Sequence, residues 1–409
     1  MNTAVITPGT SLGALPNTAL KAAARFWIGI AAIGQVVFAF AVASFYSTTA
    51  MRGHPESWNR FMTHGHIPEQ PIGNLVVGLH LVLAVFITLS GLVQLVPGVR
   101  ARVPVLHRWN GRLYVISAFV ISIAGLYMSW FRGAAGDTFQ QVGISFNAVL
   151  IMLCASMALR HAVARDFVRH RRWALRLFLV VSGVWFFRVG VMLSGLIFGG
   201  PFGYDPSTFR GPMLTTIGFA QTLLPLGVLE LYLYARDRAG SGARIAVAAL
   251  LIVLSVATAA GIAGATRSMW LPRIAAAFDP RVSIAETLTS VIDRDGMDAA
   301  VEEYHRLRAS GTDNYNFDEA QLNSLGYQRL RMAHPDQAIR IFQLNVEAYP
   351  LSGNVHDSLA EAYLAAGQHE LAIASYRKAL ELDPDKRTAQ LALQTLGALR
   401  LSPHAPALP

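Results

Sequence analysis

The sequence predicts an all-α protein in two parts: a polytopic transmembrane helix bundle of seven spans, then a small α-solenoid. Three observations predict it: apolar runs long enough to cross a bilayer, a shift in charge balance, and an internal repeat of 34 residues. Of 409 residues, 53% are hydrophobic and only 14% charged, against about 25% charged in soluble domains. This argues against a wholly soluble chain, and against disorder, which needs low hydrophobicity. The one cysteine, Cys154, excludes an intramolecular disulfide framework and any cysteine-built metal site.

A span needs about 20 apolar residues. Such runs occupy residues 25–46, 72–96, 113–131, 142–159, 175–198, 213–235 and 245–264, the fourth being the shortest. In the first, Ala41 to Ala43 could form a signal-peptidase site. The run is longer than a usual signal core, so an uncleaved anchor is expected.

Charge orients the bundle. Up to residue 275, 22 Lys and Arg face 7 Asp and Glu; beyond it, 12 face 18. The basic residues sit between apolar runs, so the membrane surface explains them and nucleic acid is not an expected partner. The loops after spans two, four and six carry arginine clusters, whereas the alternate loops carry only Arg52 and Arg60, then Arg132, then Arg210. This alternation predicts an inner-membrane protein with a cytoplasmic N-terminal tail at 1–24 and a membrane domain at 25–264. A linker at 265–282 follows, with Pro272 and Pro280 as breakers, then a periplasmic domain at 283–400 and a tail at 401–409.

Within that domain Leu325 matches Leu359, Gly326 matches Ala360, Ala338 matches Ala372, Phe342 matches Tyr376, and Pro350 matches Pro384. The pattern resembles the tetratricopeptide repeat, in which a small residue lets two helices touch and a proline closes the unit. Tyr363 fits the same consensus, whereas Arg329 at the matching place does not. Ala300 and Tyr304 suggest a divergent earlier unit with an insertion around 311–316, and 387–400 reads as a capping helix. The resemblance implies a protein or peptide partner on the concave face, with Asn323, Asn354 and Asp357 as candidate groove residues.

Two basic boxes stand at the starts of spans. The first runs from His107 and Arg108 through Trp109, Asn110, Gly111 and Arg112 to Tyr114. The second comprises His170, Arg171, Arg172, Trp173 and Arg176. With His80 in span two and Arg188 in span five, they resemble an uncharacterised family of multi-pass bacterial membrane proteins, over residues 72–235. Ala174 stands where that family usually has Met. The resemblance implies a membrane location and no known activity. Physically, Arg108, Arg112, Arg171, Arg172 and Arg176 suit the headgroup level, where each contact with anionic lipid gives about 1 kcal/mol. The paired His-Arg doublets could instead cradle a phosphate or carboxylate, because arginine offers a bidentate fork.

His80 is expected about 12 Å and Arg188 about 15 Å below the outer surface, at 1.5 Å per residue. An arginine at mid-bilayer costs at least about 2.5–3.5 kcal/mol. The only acid within a span, Glu230, lies at the other end of span six, so Arg188 must use carbonyls, water or an anionic ligand. His80 lies at a different depth from His107, His161 and His170, which are all cytoplasmic, so haem b would need a pair at that surface such as His107 with His170. His54, His64 and His66 are weak metal candidates in the 47–71 loop. No catalytic motif is present. Two functions are therefore expected: an anchored or sensing membrane protein whose repeats bind a partner, or a redox or small-anion transport protein with accessory repeats.

Overall fold

A computed structural model describes residues 15–401, apart from 63, 134–135, 206–208 and 312. The apolar runs fold into α1 (Leu15–Met51), α2 (Pro71–Leu95), α4 (Pro104–Phe131), α5 (Thr138–Val163), α8 (Pro212–Asp237) and α9 (Ser241–Ala265), with a short α3 (Pro97–Arg102) before α4. The fifth run forms two helices, α6 (Phe167–Val181) and α7 (Gly183–Phe198), bent by 53°. Among the described residues six helices are long and apolar enough to cross a membrane; the bent pair, taken as one span, makes seven. Helix starts follow local chemistry. Proline opens α2, α3, α4 and α8, where a missing N–H costs nothing. Asp137 and Asp166 cap α5 and α6 by accepting from Gln140 N–H (2.8 Å) and Arg169 N–H (3.0 Å).

The bend falls at Ser182 and Gly183. The Ser182 hydroxyl donates to the Phe178 carbonyl at 2.8 Å and accepts from Gln35 of α1 at 3.0 Å. A side chain at Gly183 would collide with Asn147 of α5. A Ser–Gly pair held by neighbouring amides is a recognised cause of a kink. Outward-facing Leu75, Val82, Ile116, Ile123, Val149, Leu223, Val253 and Val256 remain exposed, as lipid contact requires.

Pro272 does not break the chain. After α9 a π turn, Thr266–Trp270, leads directly into α10 (Leu271–Phe278). The Leu271 N–H bonds five residues back to the Thr266 carbonyl. This wider turn makes room for a proline that a regular helix would exclude. The helix therefore continues through most of the expected linker and ends just before Asp279 and Pro280.

Seven further helices build the second part. α11 (Ile284–Asp295) pairs with α12 (Met297–Ala309), α13 (Glu319–Arg331) with α14 (Pro335–Ala348), and α15 (Gly353–Ala365) with α16 (His369–Leu382), before α17 (Arg387–Leu401). The region between α12 and α13 forms a two-residue strand, Tyr315–Asn316, parallel to Val282–Ser283. Ala300, Tyr304, Leu325, Ala338, Phe342, Leu359, Ala360, Ala372 and Tyr376 are buried, and Tyr363 packs partly buried among them. Arg329, which departs from the repeat pattern, is also buried; it donates to Asp293 of α11 at 3.0 Å and ties the first pair to the second.

The stack rests on the arginine-poor loops. Ser57 and Glu56 line a small crevice with Ala285, Thr289 and Leu325. Arg387 packs against the backbone of Gly199, and Arg52 donates to the Asp279 carbonyl at 3.4 Å. At the other end Leu20 and Ala23 of α1 pack with Ala235, Val247 and Ala248.

Candidate functional site

The basic boxes are straps between helices. In the first, Asn110 donates to the Ser90 carbonyl at 3.0 Å, Gln94 donates to the His107 carbonyl at 3.0 Å, and Tyr114 is buried. Arg108 and Arg112 point outward, with Arg112 stacked 4.8 Å over Trp109. In the second, Arg172 pairs with Asp237 at 2.6 Å and Arg176 with Glu230 at 2.7 Å, so α6 is tied to α8. Glu230 thus serves Arg176 and not Arg188. Arg171 is exposed. His170 shares a hydrogen bond of 2.9 Å with the Ala158 carbonyl.

His80 belongs to the α2–α4 seam. It is set beside Ile121 of α4 and its ring lies against Gly125. The loop histidines are dispersed: His54 pairs with Glu56 at 2.9 Å, the His64 carbonyl accepts from Arg132, and the His66 backbone is bracketed by Asn59. Among the described residues, no group of three His, Cys, Asp or Glu could hold a metal ion.

Arg188 faces α1 and α10. Its guanidinium lies 5.4 Å over the Phe38 ring and donates to the Val184 carbonyl at 3.0 Å. Close by is a residue the sequence reading passed over, Arg273 of α10, buried and stacked 4.3 Å over Phe61. Phe38, Phe45, Tyr46, Trp58 and Trp270 form one core around them at the repeat-side end. The signal for Arg273 was available: a cation beside Trp270 and Phe278 at the end of a span.

On the repeats, Asn354 donates to Glu319 at 2.8 Å and accepts from Lys386 at 2.8 Å, while Asp357 accepts from Thr388 at 2.7 Å. The Asn323 side-chain oxygen is buried with no hydrogen-bond partner among the described residues. Glu361, one turn beyond Asp357, extends this row. Burial, reinforced by the Asp357 charge, pushes its carboxyl up to about 7 from an ordinary 4.5. A raised acid stabilises the fold below its unfolded value and loses that contribution as pH rises through the folded one. The stack should therefore lose stability between about pH 5 and pH 8, and Glu361→Gln should flatten that slope. Hydrogen exchange of α15 across this range checks it; identical slopes would refute it.

An apolar helix bundle, paired with a stack of helical hairpins, defines a multi-pass membrane protein that carries a tetratricopeptide repeat module. The comparisons agree: residues 77–207 match the family described as "Predicted membrane protein (DUF2306)", and residues 358–386 match the tetratricopeptide repeat. The first match takes in His80, both basic boxes and Arg188, and stops before Arg273. No curated protein and no solved structure matches the chain.

Proposed function

We propose that this is a bacterial inner-membrane receptor whose periplasmic repeats recruit a protein or peptide partner, with a polar pocket around Arg188 in the bundle. The observation that carries this reading is the connection between the two parts. α9, the π turn and α10 run as one continuous helical path from the membrane to the repeats, and Arg273 on α10 neighbours Arg188. Occupancy of the pocket would thus bear directly on the helix that holds the stack. The orientation rests on arginine distribution. Spans of odd number put the stack opposite the arginine-rich loops, and positive loops stay in the cytoplasm.

Alkaline phosphatase fused after Pro409 should be active, and a fluorescent protein fused there should be dark; the reverse pair of results would invert the orientation. A photo-crosslinking residue at Asn323 should capture one protein in cells, and Asp357→Ala with Glu361→Ala should abolish that product. Retention of the product would remove the groove from the reading. The second reading, haem b between His107 and His170, is favoured by the His170 bond to the Ala158 carbonyl, which is how metal-bound histidines are commonly oriented. Purified protein without a Soret band after haem-replete growth would eliminate it.

A further inference from the structure

We propose that Arg188 and Arg273 form a binding site for an amphiphilic anion, a carboxylate or phosphate carried on an apolar body. This deepens the pocket reading above and rests on it. Arg273 is 5% exposed. Among the described residues it makes no ion pair and no hydrogen bond, and its Nε is fully enclosed. Its close partner is the face of Phe61, an attraction that leaves the in-plane N–H groups unused. The groups that act on Arg188 are Arg273 and the Tyr46 hydroxyl, and Tyr46 acts on Arg273 as well; among the described residues no carboxylate acts on either. The Nε1 groups of Trp185 and Trp270, in the same core, are buried without an acceptor.

The site is therefore rich in donors, with the neutral Tyr46 hydroxyl as an acceptor but no anion among the described residues. Buried charges are ordinarily paired. Water can satisfy single N–H groups, but it does not neutralise two like charges set against one aromatic core. An oxyanion does both, and arginine presents the planar fork it needs. The walls decide what the anion is attached to. Phe38 lies 5.8 Å from Trp270, and Phe61 lies 4.9 Å from Phe45. Such rings favour an apolar body over a fully hydrated ion. A membrane phospholipid and a soluble fatty acid both offer this chemistry.

The test uses the full chain in uncharged maltoside detergent, with the thermal midpoint and tryptophan fluorescence as readouts. Decanoate is compared with decanol, and phosphatidylcholine nanodiscs are compared with and without phosphatidylglycerol. At least one of the two anions should raise the midpoint by several degrees while decanol does not, and Arg273→Gln should remove that shift. A response to decanoate alone assigns a soluble ligand, and a response to phosphatidylglycerol alone assigns lipid. Equal shifts from decanoate and decanol, or no shift from either anion, would overturn the proposal on the wild-type protein, whether or not the variant folds. A full anion response in Arg273→Gln would also overturn it. Crosslinking at Asn323 is read in parallel, so loss of the anion site and loss of the partner groove are seen separately.

Discussion

Phe342→Ala is expected to cost the repeat stack about 3–5 kcal/mol, the usual range for removing a buried phenyl ring. The ring is fully buried and stands over Gly326 at a distance no side chain at that glycine could tolerate. Its other neighbours are Tyr327, edge-on with centroids 5.3 Å apart, and Leu359 of the next repeat. Large and small residues thus interlock across α13 and α14, and the same ring carries the contact to α15. The space left behind cannot close without moving two helices, so most of the cavity cost should remain. All seven tryptophans lie in the membrane half, so fluorescence would miss the event. Hydrogen exchange resolved over α13, α14 and α15 reads it directly. Leu351→Ala, at an 84% exposed position, should change protection little. If both variants protected these helices equally, the interlocking account would be wrong.

The repeat was legible because its packing positions admit few residue types at fixed spacing. Ala338 and Ala372 must be small, and Phe342 and Tyr376 must fill the space between helices; each requirement leaves a mark in the sequence. The spans were legible because lipid demands length and apolarity together. The bend at Ser182 was not, because its determinants, Gln35 and Asn147, lie on other helices and the local run is uniformly apolar. Pro272 misled for a related reason. A proline after a span reads as a stop, and only the π turn, which leaves no sequence signature, lets the helix continue. Arg273 stands one residue beyond that apparent stop. Its burial depends on Phe61 folding back over it from a loop with no periodicity. Glu230 is engaged by Arg176 at 2.7 Å.

Two buried arginines at the repeat-side end should respond to the same substitution with opposite signs. Arg132, 4% exposed, gives its Nε and one Nη to the His64 carbonyl (3.2 and 2.8 Å) and reaches the side-chain oxygens of Gln70 (3.2 Å) and Asn74 (3.0 Å). It joins the end of α4 to the loop that enters α2. Each such bond to a charged donor contributes about 1.5–3 kcal/mol, and the abandoned oxygens would stay partly enclosed. Arg132→Met should therefore destabilise the protein by about 3 kcal/mol or more. Arg273 is about as deeply buried and has none of those bonds, so only the face of Phe61 at 4.3 Å offsets the desolvation of its charge. Replacing an uncompensated buried charge with an apolar residue of similar length is commonly neutral or stabilising. Arg273→Met should leave the midpoint of the ligand-free protein unchanged or raise it, and Arg188→Met should follow Arg273 because its main neighbouring charge is repulsive. Thermal unfolding of the three variants in uncharged detergent, with no added anion, separates the cases. A residue that folds the protein loses stability when removed, whereas a residue held ready for a ligand gives stability back. Destabilisation of Arg273→Met comparable to that of Arg132→Met would mean that Arg273 is part of the scaffold, and the case for an anion between the two arginines would fall with it.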